Sequence, residues 1–394
     1  MINSENNLYQ LFATIGFRRL LSFEENPPLQ QVIDSNLVPK FISFIKRADD
    51  TKLQFEAAWC LTNIASGEHD HVQVLIEKGA VGVLVNLLSS PHIEVIEQAI
   101  WALGNIAGDN TRIRDMVIMA GAVTPIAEAL DRTPAGSCFV RNASWTLSNF
   151  CRGRPGPEFN LIKRGIPSLA KVLIENDQEE ILTDICWALS YISDGGVDRI
   201  PFIIETNVLP RLIQLLEHPH IAISVACLRT IGNILTGDDA ETQYALEQGT
   251  LEALNRLISH NRKAVRKEVC WSVSNITAGN ANQIQLCLDC GIIDKLIHLM
   301  QHDDNDIRKE ALWAVSNTTA MATPAQFLEL VQKGILNALC GIMTFSEPRL
   351  LLVAIEGVEN VLKAGKAHFG KPECENPFVL VVEEVGGIDK IEQL

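Results

Sequence analysis

The chain has 394 residues, 47% hydrophobic and 21% charged, a balance that excludes a disordered chain. Its 48 acidic against 33 basic residues leave a formal net charge of −15, which argues against a nucleic-acid binder and favours basic partners steered by the acidic field. No run approaches the roughly 18 apolar residues of a membrane span, and the start M-I-N-S-E-N-N lacks the basic residues and apolar stretch of a secretory signal.

In chain order, Leu8 to Leu21 reads as a helix that begins mid-unit, with Phe17 at a position that later carries Trp. The clearest complete unit follows. H-V-Q-V-L-I-E-K-G predicts a short first helix and A-V-G-V-L-V-N-L-L-S-S a second. H-I-E-V-I-E-Q-A-I-W-A-L-G-N-I-A-G-D, from His92 to Asp109, predicts a third. At about 100° per residue, Ala99, Ile106 and Ile96 flank Leu103 on a buried face, while Trp101 and Asn105 fall on the opposite side, one turn apart. Gly108 is expected to end the helix as a C-terminal glycine cap.

The Trp–Asn pair recurs as Trp59/Asn63, Trp101/Asn105, Trp145/Asn149, Trp271/Asn275 and Trp313/Asn317, with half-kept copies at Trp187/Tyr191 and Arg229/Asn233. The steps are 42, 44, 42, 42, 42 and 42 residues, the period of an armadillo or HEAT-type helical repeat. Junctions between first and second helices carry only Asn or Gly: Asn36, Gly79, Gly121, Gly165, Asn207, Gly249, Gly291, Gly334 and Gly386 or Gly387. A left-handed turn is expected at each. Pro91, Pro134, Pro219 and Pro348 mark helix entries. Residues 131–138 and 152–157 read as irregular loops. Leu351 to Ala364 is a ninth third helix, with Glu356 in place of Trp and Asn360 kept, and Pro377 to Leu394 supplies the first two helices of a further unit.

The predicted fold is therefore all-α: one right-handed superhelical solenoid over residues 1–394, three helices per ~42-residue repeat, about nine to ten repeats with partial terminal ones. The ten Cys are scattered, and those beside the Trp positions on the same helices read as small buried residues of a reducing compartment. Cys287-Leu-Asp-Cys290 lacks the second ligand pair a zinc site needs. His69/His71 and His218/His220 are placed in solvated loops. No metal and no cofactor is expected, and no Gly-rich phosphate loop or Ser–His–Asp arrangement suggests an enzyme.

Stacking sets the third helices side by side, so the Trp–Asn faces form a ladder along the inner surface. Asn offers a donor and an acceptor, and one per layer suits the backbone of an extended peptide. Adjacent indoles make apolar-walled slots for Lys or Arg stems. The residue three before each Trp shares its face: Glu56, Gln98, Asn142, Asp184, Glu268 and Glu310. Asp109, Asp194 and Asp239 lie beyond the helix ends. Arg229 and Tyr191 interrupt the ladder and leave two basic-binding segments. From Trp145 to Trp271 is three layers, roughly 30 Å at about 8–10 Å per packed helix, which about nine or ten extended residues span at ~3.3 Å each.

The segments FEAAWCLTNIASG, EQAIWALGNIAGD, RNASWTLSNFCRG, DICWALSYISDG, LRTIGNILTGDD, KEVCWSVSNITAGN and IEGVENVLKAG, together spanning nearly the whole chain, resemble importin-α (karyopherin-α), the adaptor that recognises nuclear localisation signals. The resemblance implies a major peptide site on Trp59, Asn63, Ser66, Gly67, Gln98, Trp101, Asn105, Asp109, Asn142, Trp145, Asn149, Asp184 and Trp187, with Asp109 meeting the signal's key lysine. It implies a minor site on Tyr191, Arg229, Asn233, Glu268, Trp271, Asn275, Glu310, Trp313 and Asn317. The implied partners are basic signal peptides of cargo, importin-β only where an N-terminal segment is present, and an export receptor, with neither nucleic acid nor membrane. The implied location is a shuttle between cytoplasm and nucleus. Three departures bear on this: Val72 replaces a common threonine near the key lysine, and neither a basic N-terminal segment nor an acidic tail is seen. As written, the chain is expected to bind cargo without self-inhibition and not to recruit importin-β. The competing reading is a β-catenin-type armadillo scaffold, whose acidic ligands would call for Lys and Arg along the groove.

Overall fold

A computed structural model of the chain describes residues 1–134, 137–344, 347–372 and 375–393. Part of the loop expected at 131–138, Cys374 and Leu394 lie outside these residues. The chain packs as two compact units, residues 1–195 with 205–208, and residues 196–204 with 209–394.

In the first unit the third helices are Asn7–Leu21, Thr51–Ala65, Ile93–Gly108, Cys138–Cys151 and Glu179–Ser193. Each packs on the next in chain order. Between them come the shorter pairs, such as His69–Glu77 with Ala80–Leu87 and Thr111–Met119 with Val123–Arg132. In the second unit the third helices Ile221–Ile234, Lys263–Thr277, Asn305–Met321 and Pro348–Ala364 stack in the same way. Pro377–Glu384 and Gly387–Glu392 form the last pair. The described residues thus hold nine third helices, as the spacing requires.

The amphipathic reading holds at atomic level except at Ile96, which is half-buried. In Ile93–Gly108, Val95, Ala99, Ile100, Leu103 and Ile106 are fully buried, and Trp101 remains 38% exposed. Gly108 is the last helical residue, but Asp109 after it stays right-handed and donates its N–H to the Ile106 carbonyl. The helix therefore closes without a left-handed cap, which keeps Asp109 at the end of the ladder helix.

At the first-to-second junctions the left-handed turn appears as expected, for example φ 76° at Gly79 and 54° at Asn36. Gly386, not Gly387, takes the last one. Gly165 departs from the rule. It opens the helix Gly165–Glu175 behind a right-handed Arg164, and the preceding helix, Phe159–Ile162, is only four residues long.

That shortening goes with the irregular loop at 152–157, which a buried cation holds. Arg114 is 1% exposed. It donates to the carbonyls of Arg152 at 2.6 Å and Pro155 at 3.0 Å and pairs with Asp115 at 2.7 Å. A buried guanidinium is tolerable only when its donors are satisfied this fully.

Candidate functional site

The ladder residues share one face because Trp and Asn stand four apart, and helix packing brings successive copies alongside. The structure adds a bond that spacing within a single helix does not reveal. Each Asn amide ties its helix to the preceding one. Asn105 Nδ2 donates to the Thr62 carbonyl at 3.1 Å, and Asn149 Nδ2 to the Gly104 carbonyl at 3.2 Å. Asn275 Nδ2 donates to the Gly232 carbonyl at 3.0 Å, and Asn317 Nδ2 to the Ser274 carbonyl at 2.9 Å. In these four layers the acceptor is the residue just before the preceding layer's Asn. At the first layer Asn63 Nδ2 donates to Ser22 Oγ at 2.9 Å instead. One N–H of each amide is used inside the protein. Among the described residues no donor of the chain reaches the Oδ1 of Asn63, Asn105, Asn149, Asn275 or Asn317, so each amide is fixed in orientation and keeps an acceptor and a second N–H.

Sequence reasoning missed the residues that seat the indoles. A Cβ on Gly104 would lie 2.5 Å from Trp145 Cζ3, and one on Gly232 2.3 Å from Trp271 Cζ3. The indole of the next layer therefore rests against glycine backbone. The signal was present as the G-N dipeptides at 104–105 and 232–233.

Some acids of the ladder are engaged by the chain's own donors. Glu56 pairs with Arg18 at 2.9 Å. Arg229 pairs with Glu268 at 2.5 Å, while the second oxygen of Glu268 is buried without a partner. Asn142 Nδ2 donates to Glu97 Oε1 at 2.7 Å. Gln98 is buried in the layer contact, where Thr62 Oγ1 donates to its carbonyl at 3.2 Å. Burial and the nearby Glu180 push the Asp184 carboxyl up to about 6, and burial likewise raises that of Glu310. Ser66 and Gly67 close the Trp59 helix, with Ser66 Oγ donating to the Asn63 carbonyl at 2.8 Å.

Asp109, only 13% exposed, lies 2.7 Å from His69 Nδ1 and accepts from Asn110 Nδ2 at 2.6 Å. This corrects the placement of His69 and His71 in a solvated loop. Both stand in the first turn of His69–Glu77, where His71 completes the capping box with Glu68. Val72 is buried on the same helix. Asp194 pairs with Arg154 of the irregular loop at 2.7 Å, and Asp239 accepts from Asn280 at 3.0 Å.

The two departures from the pattern have distinct outcomes. Tyr191 stacks on Trp187 with ring centroids 5.9 Å apart and belongs to the first unit, whereas the other minor-site residues belong to the second. Arg229 does more than repel a cation. It lies 5.2 Å over the Trp271 ring and occupies that face. Asn233 is buried.

Cys287 is fully buried and burial pushes its thiol well above the usual range. Among the described residues no three His, Cys, Asp or Glu side chains are placed to hold a metal ion, and no helix is long and apolar enough to cross a membrane.

The Armadillo/beta-catenin-like repeat family matches residues 25–66, 69–108, 197–236, 238–278 and 280–320. The unmatched stretch from 109 to 196 holds both irregular loops. The chain is similar to importin subunit alpha-B of Dictyostelium discoideum, 53% identical over 394 residues covering 100% of the chain and 76% of that protein. It is similar to importin subunit alpha-2 of Arabidopsis thaliana, 50% identical over 99% of the chain and 73% of that protein. It is similar to importin subunit alpha-1b of Oryza sativa subsp. japonica, 46% identical over 100% of the chain and 74% of that protein. A crystal structure of an engineered protein shares the fold with TM-score 0.83 at 23% identity, covering 100% of this chain and 92% of that one. An all-α armadillo solenoid whose relatives of high identity are importin-α subunits over its whole length belongs to the importin-α family.

Proposed function

We propose that the chain is a nuclear import adaptor that receives nuclear localisation signals as extended Lys/Arg-rich peptides along the Trp–Asn ladder. The observation that carries this is the fixed amide of Asn63, Asn105, Asn149, Asn275 and Asn317, one to a layer. An Asn held by an internal bond presents an acceptor and a donor at one-helix intervals, suited to peptide backbone of any sequence. The indoles and carboxylates beside it suit Lys stems and ammonium heads. The principal segment runs over Trp59, Trp101 and Trp145 with Asp109 as the acid for a lysine, and a second segment runs over Trp271 and Trp313 with Glu268 and Glu310. Cargo is the partner, the role is carrying and not catalysis, and the location is a shuttle between cytoplasm and nucleus. A β-catenin-type scaffold is disfavoured by the acidic, indole-lined face and by the importin relatives.

The test titrates a fluorescent peptide with one Lys-rich cluster against the protein, Asp109→Lys and Glu310→Arg. Tight, salt-sensitive binding lost in Asp109→Lys is expected. Loss in Glu310→Arg alone would transfer the principal site to the second segment, and no binding to the unsubstituted protein would sink the adaptor reading.

A further inference from the structure

One arrangement occurs twice, and nothing in the repeat pattern marks its first copy. Arg18, from the first third helix, lies 4.6 Å over the Trp59 ring and pairs with Glu56 at 2.9 Å. Arg229 does the same to Trp271 and Glu268 in the second unit, at 5.2 Å and 2.5 Å. In both, the arginine comes from the layer before the indole, and the acid stands three residues before the Trp on its own helix. Cation, indole face and carboxylate are the three parts a bound lysine would use. The acids are shielded, Glu56 14% and Glu268 12% exposed, and Arg18 at 20% is more enclosed than Arg229 at 42%, so the Arg18 pair is held more firmly than a surface pair. A third arginine, Arg349, lies 5.4 Å over Trp313 from the layer after it. Trp101 and Trp145 carry no such cover among the described residues.

We infer that Arg18 and Arg349 are built-in surrogate ligands that close the outer ends of the two ladder segments and so set how many basic side chains each accepts. Arg18 fills the outer face of Trp59, leaving the slots between Trp59, Trp101 and Trp145 for an incoming chain. Arg229 and Arg349 bracket Trp271 and Trp313 from both sides, leaving the one slot between them. The two arginines are specificity-determining residues: a peptide gains nothing from a further Lys at a face already holding an arginine. The inference rests on the basic-peptide reading of the ladder.

The experiment compares a core Lys-rich peptide with versions carrying one more Lys, or Ala, at either end. Each is titrated by fluorescence anisotropy against the protein, Arg18→Gln and Arg18→Lys. The unsubstituted protein and Arg18→Lys should bind core and extended peptides within about 2-fold. Arg18→Gln should prefer one Lys-extended peptide about 5-fold over its Ala counterpart, equivalent to ~1 kcal/mol. Equal tightening for every peptide would mean that only net charge changed, and would overturn the inference. So would a 5-fold preference already present in the unsubstituted protein, or none in the variant. If the core peptide fails to bind the unsubstituted protein, the ladder reading itself falls and this inference with it. Should Arg18→Gln not fold, the same comparison on Arg349→Gln, in the other unit, decides the matter by the same criteria.

Discussion

Replacing Gly104 with Ala adds one methyl group at the point where the Trp145 indole meets backbone. The new carbon would stand 2.5 Å from Trp145 Cζ3 and 2.4 Å from Thr146 Oγ1. Carbon–carbon contacts settle near 3.5–4.0 Å, so the indole or its helix must retreat by about 1 Å. Overpacking on this scale costs about 1–3 kcal/mol, and the better helix propensity of Ala offsets about 1 kcal/mol of it. The net destabilisation is therefore about 0–2 kcal/mol, a shift of a few degrees in melting temperature. The functional effect should be larger than the thermal one, because the proposed principal segment uses the Trp145 indole as a slot wall. Affinity for a Lys-rich peptide, read by anisotropy, should fall about 10-fold, which corresponds to losing a cation–indole contact of 1–2 kcal/mol. Tryptophan emission should shift in the free protein. Gly82, on a second helix with nothing within 4 Å of a Cβ, supplies the control. Gly82→Ala should stabilise by up to about 1 kcal/mol and leave affinity unchanged. Wild-type affinity together with unshifted emission in Gly104→Ala would refute the claim that glycine backbone positions the indole.

Two further outcomes follow from the same geometry. Burial lifts the folded-state carboxyl of Asp184 to about 6 from an ordinary 3.8, so the folded protein holds more protons than the unfolded chain between these values. The stabilising contribution of this group is complete below about 3.8 and is lost as pH rises through about 6. A bound lysine favours the charged form, so peptide affinity should climb between pH 5 and 7, and Asp184→Asn should flatten that climb in a pH series of titrations. Arg114→Met keeps the apolar bulk and removes the donors to the Arg152 and Pro155 carbonyls. It should destabilise by about 3 kcal/mol in denaturant unfolding and expose the 152–157 loop to limited proteolysis; an unchanged unfolding midpoint would show that Arg114 does not hold this loop.

The sequence alone determined whatever repeats along one helix. The 42-residue step, the four-residue Trp–Asn spacing and the Asn or Gly junctions sufficed for the helices, their buried faces and the grouping of indoles and amides. Those features depend on local angles, and local angles follow from residue order. Tertiary packing alone decided what each ladder residue touches across the layers: Arg18 with Glu56, His69 with Asp109, Gly104 with Trp145, and each Asn amide with a carbonyl of the helix before it. These partners stand about forty residues apart. Their meeting depends on the lateral offset and rotation of neighbouring helices, which side-chain packing between layers sets and which no periodicity within a single helix encodes.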